Sequence, residues 1–231
     1  MPADLRQVRE LQAHYQESQR RLIVRLSEQL ERGNQTDFTE RMLNTVNAEM
    51  RELDNYAEQW VKGTLPAQYR NGVEGVYKYL GQTVQATRNQ NALNIVMQNA
   101  LADLHDAHQY VGRVVQDEIR QAGLDAVAGK LTVGDTVKAT ADNLKRSLAD
   151  RGIKAVKTKR GEMSLDAYAT MVARSTTREA TNLGTIQAMR ETGNDLVQMS
   201  DHAASCPICA PLEGRVYSIS GRDPNYPRLD F

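Results

Sequence analysis

Apolar residues recur at threes and fours from the first positions of the chain, a period that predicts helices over most of its length. Leu5, Val8, Leu11, Tyr15, Leu22, Leu26 and Leu30 form one stripe, broken by a polar gap around Ser18, and Gly33-Asn34 is a stop signal. A continuous helix here is roughly 45 Å long at about 1.5 Å per residue. So narrow a stripe on so long a helix needs partner helices. Asp37 followed by Glu40 fits a capping box opening a second helix. Met42, Val46, Met50, Leu53, Ala57 and Trp60 mark its face, and Gly63 is its expected end. Pro66 suits the first position of a third, shorter helix carrying Tyr69, Val73, Val76 and Leu80, weakened by Gly72 and Gly75. A fourth is expected from about Asn91 to Gln121, through Leu93, Met97, Leu101, Leu104, Val111 and Val115, with Gly123 as its end. A fifth carries Val133, Val137, Ala141, Leu144 and Leu148 and closes at Gly152.

The texture changes after Gly152. Ile153 to Val156, then Lys159-Arg160-Gly161, reads as a short strand and turn. Ser164 is a good N-cap for a helix running towards Gly193. Arg174, Ser175, Thr176, Thr177, Arg178, Glu179 and Thr181 ride on that helix. So polar a stretch is unusual within a helix. It is expected to hydrogen-bond to the small sheet beside it; a competing reading makes Glu179 an acid/base and the arginines anion ligands. Leu196 to Ser200 and Arg215 to Ile219 read as two strands on either side of Cys206-Pro-Ile-Cys209, with Glu213-Gly214 at the turn. The fold class is therefore mainly α: an elongated multi-helix N-terminal region (1–151, a bundle or arm), then a small α+β module (152–231) with a Cys-x-x-Cys knuckle between short strands.

Composition narrows the function. Aromatics are only 5% of the 231 residues, which speaks against a β-sandwich or barrel. Twenty-nine basic side chains balance 29 acidic ones, unlike a protein whose main task is coating nucleic acid. No run of about 18 apolar residues exists to span a membrane. The opening MPADLRQVRE lacks a signal-peptide pattern, so synthesis in the cytoplasm is expected. The two cysteines form no disulfide framework. Three readings of them stay open: a structural metal knuckle, a redox pair, or packing thiols. His202 could add an imidazole to Cys206 and Cys209, but structural zinc normally takes four ligands. His105 and His108 lie i,i+3 on the fourth helix, either as structural or surface histidines or as a metal pair. A basic run of Lys138, Lys145, Arg146, Arg151, Lys154, Lys157, Lys159 and Arg160 is opposed only by Asp142 and Asp150. It is either a solvated face or a surface for phosphate or an acidic partner.

Several motifs of the last third resemble phage head proteins. They are Tyr168 to Thr176 around Arg174, then Ala180-Thr-Asn182-Leu-Gly184, and Gly193 to His202. Cys206-Pro-Ile-Cys209-Ala-Pro-Leu-Glu213-Gly214-Arg-Val-Tyr217 and Tyr226-Pro227 follow in order. This combination resembles the phage minor capsid protein 2 family and, more distantly, head-morphogenesis proteins of the Mu F and SPP1 gp7 type. The resemblance covers roughly Gly152 to Phe231. It implies a non-enzymatic virion protein of the head interior or portal vertex, with the portal and the major capsid or scaffolding protein as partners and packaged DNA as a further contact. It makes Arg174, Asn182, Gly184, Glu213 and Gly214 structural motif residues. It also implies a His/Cys stretch beyond Tyr226-Pro227 that would complete a zinc site; this chain ends at Phe231 without one, so the zinc site is expected to be incomplete or the natural protein longer. Two alternatives are a packaged metal-dependent nuclease or transferase using His202, Cys206, Cys209 and Glu213, with Arg174 and Glu179 nearby, and a cytosolic zinc-ribbon adaptor.

Overall fold

The computed structural model describes residues 3–32, 38–84, 89–127, 154–158, 161–200, 207 and 210–229. Among the described residues there are four α-helices: α1 (Ala3–Arg32), α2 (Phe38–Tyr79), α3 (Gln90–Val127) and α4 (Leu165–Glu191). Two antiparallel hairpins accompany them, β1 (Lys154–Thr158) with β2 (Gly161–Ser164), and β3 (Leu196–Gln198) with β4 (Val216–Ser218). None of the described helices is long and apolar enough to cross a membrane. The expected fifth helix, the boundary at 151/152 and the Cys-x-x-Cys knuckle lie outside the described residues.

Two expected helix ends are not ends. The second and third predicted helices are one, α2, which runs through both Gly63 and Pro66. Pro66 has no N–H to offer the Lys62 carbonyl, a defect of about 3 kcal/mol within a helix. The apolar stripe nevertheless stays in phase across it: Val61, Leu65, Tyr69 and Val73 are all buried. Burying each such side chain is worth about 1.5–3 kcal/mol, so the stripe outweighs the proline. Likewise α3 continues past Gly123 to Val127, because one glycine costs a helix only about 1 kcal/mol.

By the density of internal contacts the chain forms two units. The first comprises Met1–Leu65 and Asn94–Arg178. Its core takes Leu11, Tyr15 and Leu22 from α1, Met42 and Leu53 from α2, and Leu104 from α3, all buried. The second comprises Pro66–Leu93 and Glu179–Phe231. There α2 and α4 meet backbone to backbone. A Cβ on Gly72 would lie 2.0 Å from the Thr181 carbonyl oxygen, and one on Gly184 would lie 2.0 Å from the Tyr69 carbonyl oxygen. Only glycine fits such an approach.

The end of α4 follows the sequence signal. Gly193 adopts a positive φ of 75°. Its N–H bonds the Arg190 carbonyl at 3.2 Å, and the Asn194 N–H bonds the Met189 carbonyl at 2.9 Å. This is a Schellman closure, which satisfies two carbonyls the helix would otherwise leave open. The chain then enters β3, whose register pairs Leu196 with Ser218, Val197 with Tyr217 and Gln198 with Val216. On the other side of β4, Ser218 donates its N–H to the Pro227 carbonyl and accepts from the Leu229 N–H, both at 2.9 Å. Asp195 locks this corner by accepting from the Ser218 hydroxyl and, at 2.7 Å, from the Ser220 N–H. These bonds, the Ser218 hydroxyl first, hold its carboxyl below the usual range.

Candidate functional site

The strongest concentration of polar chemistry lies in the first unit, where α1, α2 and α3 face one another. His108 falls on the buried stripe of α3 with Leu104 and Val111, and it is fully buried. Its Nδ1 is 2.6 Å from Asp54 Oδ1, and its Nε2 is 2.7 Å from the Tyr15 hydroxyl. His105, one turn earlier, places its own Nδ1 3.0 Å from the same carboxylate oxygen. An ionised carboxylate only accepts, so both imidazoles donate from Nδ1. The Nε2 of His108 pairs with the Tyr15 hydroxyl, and that of His105 accepts from the Gln109 amide, 2.8 Å away. Burial disfavours the charge on Asp54, but the hydrogen bonds from His108 and His105 outweigh it and hold the carboxyl below its usual range. Burial, reinforced by the nearby Asp54 charge, pushes the Tyr15 hydroxyl well above the usual phenol range. Tyr15 therefore stays neutral.

A second polar cluster crosses α1 and α2. Glu49 is fully buried, and it accepts from Ser18 at 2.7 Å, from Arg21 at 2.8 Å and from Arg25 at 3.3 Å. Ser18 is the polar gap in the α1 stripe, and it is buried because this carboxylate sits opposite it. A buried carboxylate is tolerable only when paired and bonded in this way. In the first turn of α4, Asp166 accepts from Ser164 at 2.6 Å and from Gln16 at 3.0 Å. Burial opposes its charge, but these bonds win and lower the carboxyl below its usual range.

Beside the histidine network, α2 and α3 border a groove of about 490 Å³. Two hydrogen-bonded crossings span it, Asp54 with His105 and, at 2.7 Å, Asn47 with Gln116. Arg51, Arg113 and Gly112 lie between them.

The polar stretch of α4 is arranged differently from expectation. Instead of reaching a sheet, the hydroxyls of Ser175, Thr176 and Thr177 donate back to the Met171, Val172 and Ala173 carbonyls at 3.1, 2.8 and 2.7 Å. Arg174, Arg178, Glu179 and Asn182 are exposed, while Gly184 is buried at the helix crossing. Gly214 donates its N–H to the Met199 carbonyl at 3.1 Å and so closes the β3–β4 hairpin, with Glu213 half-buried before it. The proposed metal ligands His202, Cys206 and Cys209 lie outside the described residues, as do Lys138, Lys145, Arg146, Arg151, Lys159 and Arg160 of the basic run. Lys154 and Lys157 belong to β1. Among the described residues no group of three or more His, Cys, Asp or Glu is disposed to hold a metal ion. Asp54 and Glu49 are the members of these clusters that sequence reasoning missed. The two signals for them were the polar gap at Ser18 and a histidine on an apolar stripe, each of which asks for a buried partner.

No curated protein and no solved structure matched the chain. A family model described as phage minor capsid protein 2 matches residues 7–227, nearly all of it. The resemblance noted in the last third thus extends across the helical part, and the chain belongs to the phage minor capsid protein 2 family.

Proposed function

We propose that this phage structural protein is a minor head component held at the portal vertex, acting through protein–protein contacts rather than catalysis. The observation that carries the reading is the family match over residues 7–227, which makes the whole chain a capsid-type protein. The polar groups support it. His105, His108 and Asp54 are spent on one another, and Glu49 is spent on Ser18, Arg21 and Arg25. Partners in this reading are the portal protein and the major capsid or scaffolding protein. The basic run from Lys138 to Arg160 faces packaged DNA or an acidic partner surface, and His202, Cys206 and Cys209 form a zinc knuckle completed by a ligand from elsewhere.

Quantitative mass spectrometry of purified particles, made with and without the portal protein, tests the proposal. The expected result is a low, fixed ratio of this chain to the major capsid protein that is lost without the portal. An unchanged ratio in portal-less particles overturns the vertex placement. Absence from all particles overturns the head role. Reversing several charges of the basic run is expected to weaken partner or DNA association in a salt-dependent way.

A further inference from the structure

We infer that the groove between α2 and α3 is a binding site for a phosphate group, gripped by Arg51 and Arg113. The inference concerns the purified chain and does not rest on its place in the virion.

The two walls are in phase. Asn44, Asn47, Arg51 and Asp54 follow one another at threes and fours along one stripe of α2. His105, Gln109, Arg113 and Gln116 do the same on α3, with Gly112 beside Arg113. Asp54 meets His105 and Asn47 meets Gln116, so the helices run antiparallel here. The two crossings are seven residues apart on α2, about 10 Å at 1.5 Å per residue. The arginines stand in the interval.

Charge in that interval is unbalanced. Asp54 is the one carboxylate lining the groove, and it already accepts from two imidazoles. Elsewhere in the same unit Arg6, Arg20, Arg21, Arg25 and Arg120 each pair with a carboxylate. Arg51 and Arg113 are exposed, and among the described residues neither has an ion pair. At the floor of the groove Gly112 is buried against Met50, and a Cβ there would sit 3.2 Å from Met50 Cγ. Asn44 adds a neutral amide donor at the edge.

The donor set selects the ligand. Each guanidinium presents a planar fork that takes two oxygens at once. One carboxylate satisfies one fork. A tetrahedral phosphate has enough oxygens for both, and it brings the larger negative charge. The volume falls within the range of about 300–1,000 Å³ usual for small-molecule sites. It therefore admits a phosphate carried on a nucleotide, or one phosphate of a nucleic-acid backbone.

The test titrates the full chain, in low-salt chloride buffer, with inorganic phosphate, a nucleoside monophosphate and a short duplex DNA. Calorimetry reads the first two and fluorescence anisotropy the third. Binding of at least one is expected, weakened tenfold or more in the double variant Arg51→Gln/Arg113→Gln with an unchanged circular dichroism spectrum. Binding of phosphate and nucleotide assigns the site to a soluble phosphate compound, and binding of DNA alone assigns it to a nucleic-acid backbone. No binding of any probe overturns the inference. So does affinity unchanged in the double variant, or an equal loss in the control Arg9→Gln/Arg70→Gln, which removes two exposed arginines elsewhere.

Discussion

The Tyr15 hydroxyl and His108 Nε2 are 2.7 Å apart across 93 positions of sequence, and both side chains are fully buried. This bond ties α1 to α3, and Asp54 ties the same imidazole to α2. Tyr15→Phe removes the hydroxyl and leaves a buried ring nitrogen without its partner. The expected cost is about 1–3 kcal/mol. Urea unfolding followed by circular dichroism measures it; a midpoint equal to wild type would show that the bond contributes nothing net.

Asp54 makes the first unit sensitive to acid. Its carboxyl is held below the usual range, so the folded state binds the ionised form more tightly than the unfolded chain does. Its contribution is complete above the unfolded value of about 3.9 and is lost as the pH falls through the lower, folded value. Asp54→Asn is therefore expected to destabilise at pH 6 and to converge on wild type as the pH drops below about 4. Unfolding midpoints across that interval check the sign, and parallel profiles would refute it.

Glu49 joins α1 to α2 through three donors. Glu49→Ala strands the buried Ser18 hydroxyl and frees Arg25, while Arg21 keeps Glu52 at 3.0 Å. Both arginines reach solvent, which softens the loss. The expectation is about 1–3 kcal/mol. The double variant Glu49→Leu/Ser18→Ala removes both buried polar groups and is expected to recover part of it, as thermal unfolding would show.

The glycines of α2 separate packing from propensity. Gly75 has nothing within 4 Å of a hypothetical Cβ, so Gly75→Ala is expected to stabilise by about 0.5–1 kcal/mol. Gly72→Ala drives a methyl into the Thr181 carbonyl, and Gly184→Ala drives one into that of Tyr69. Each is expected to cost more than about 2 kcal/mol, because backbone rather than a flexible side chain must yield. Melting temperatures that move the same way for all three variants would rule out the close crossing.

Zinc is tested by metal analysis of the purified chain. With His202, Cys206 and Cys209 as ligands, zinc is expected at less than one equivalent and is lost in Cys206→Ser/Cys209→Ser. Zinc retained by that variant would remove the knuckle from the proposal.

Much of this architecture could be read from the chain. The helical repeat is a local property of about 3.6 residues, so the stripes of α1, α2 and α3 stood out, as did the β3–β4 strands, the strand and turn that open the first hairpin, and the closure of α4 at Gly193, whereas β2 was not expected. Motif order in the last third pointed to the family before the full-length match did. Local signals misled where a glycine or proline looked like punctuation. At Gly63 and Pro66 α2 continues because its buried stripe outweighs their penalty, and α3 continues past Gly123, where one glycine costs only about 1 kcal/mol. The sites themselves depended on packing. Nothing near Asp54 announces two imidazoles more than fifty positions away, and nothing near Gly184 announces the Tyr69 carbonyl. The pairing of Arg51 and Arg113 across one groove is of the same kind. Such relationships arise from how helices are turned and set against each other, which depends on many distant contacts at once and leaves no periodic trace in the sequence.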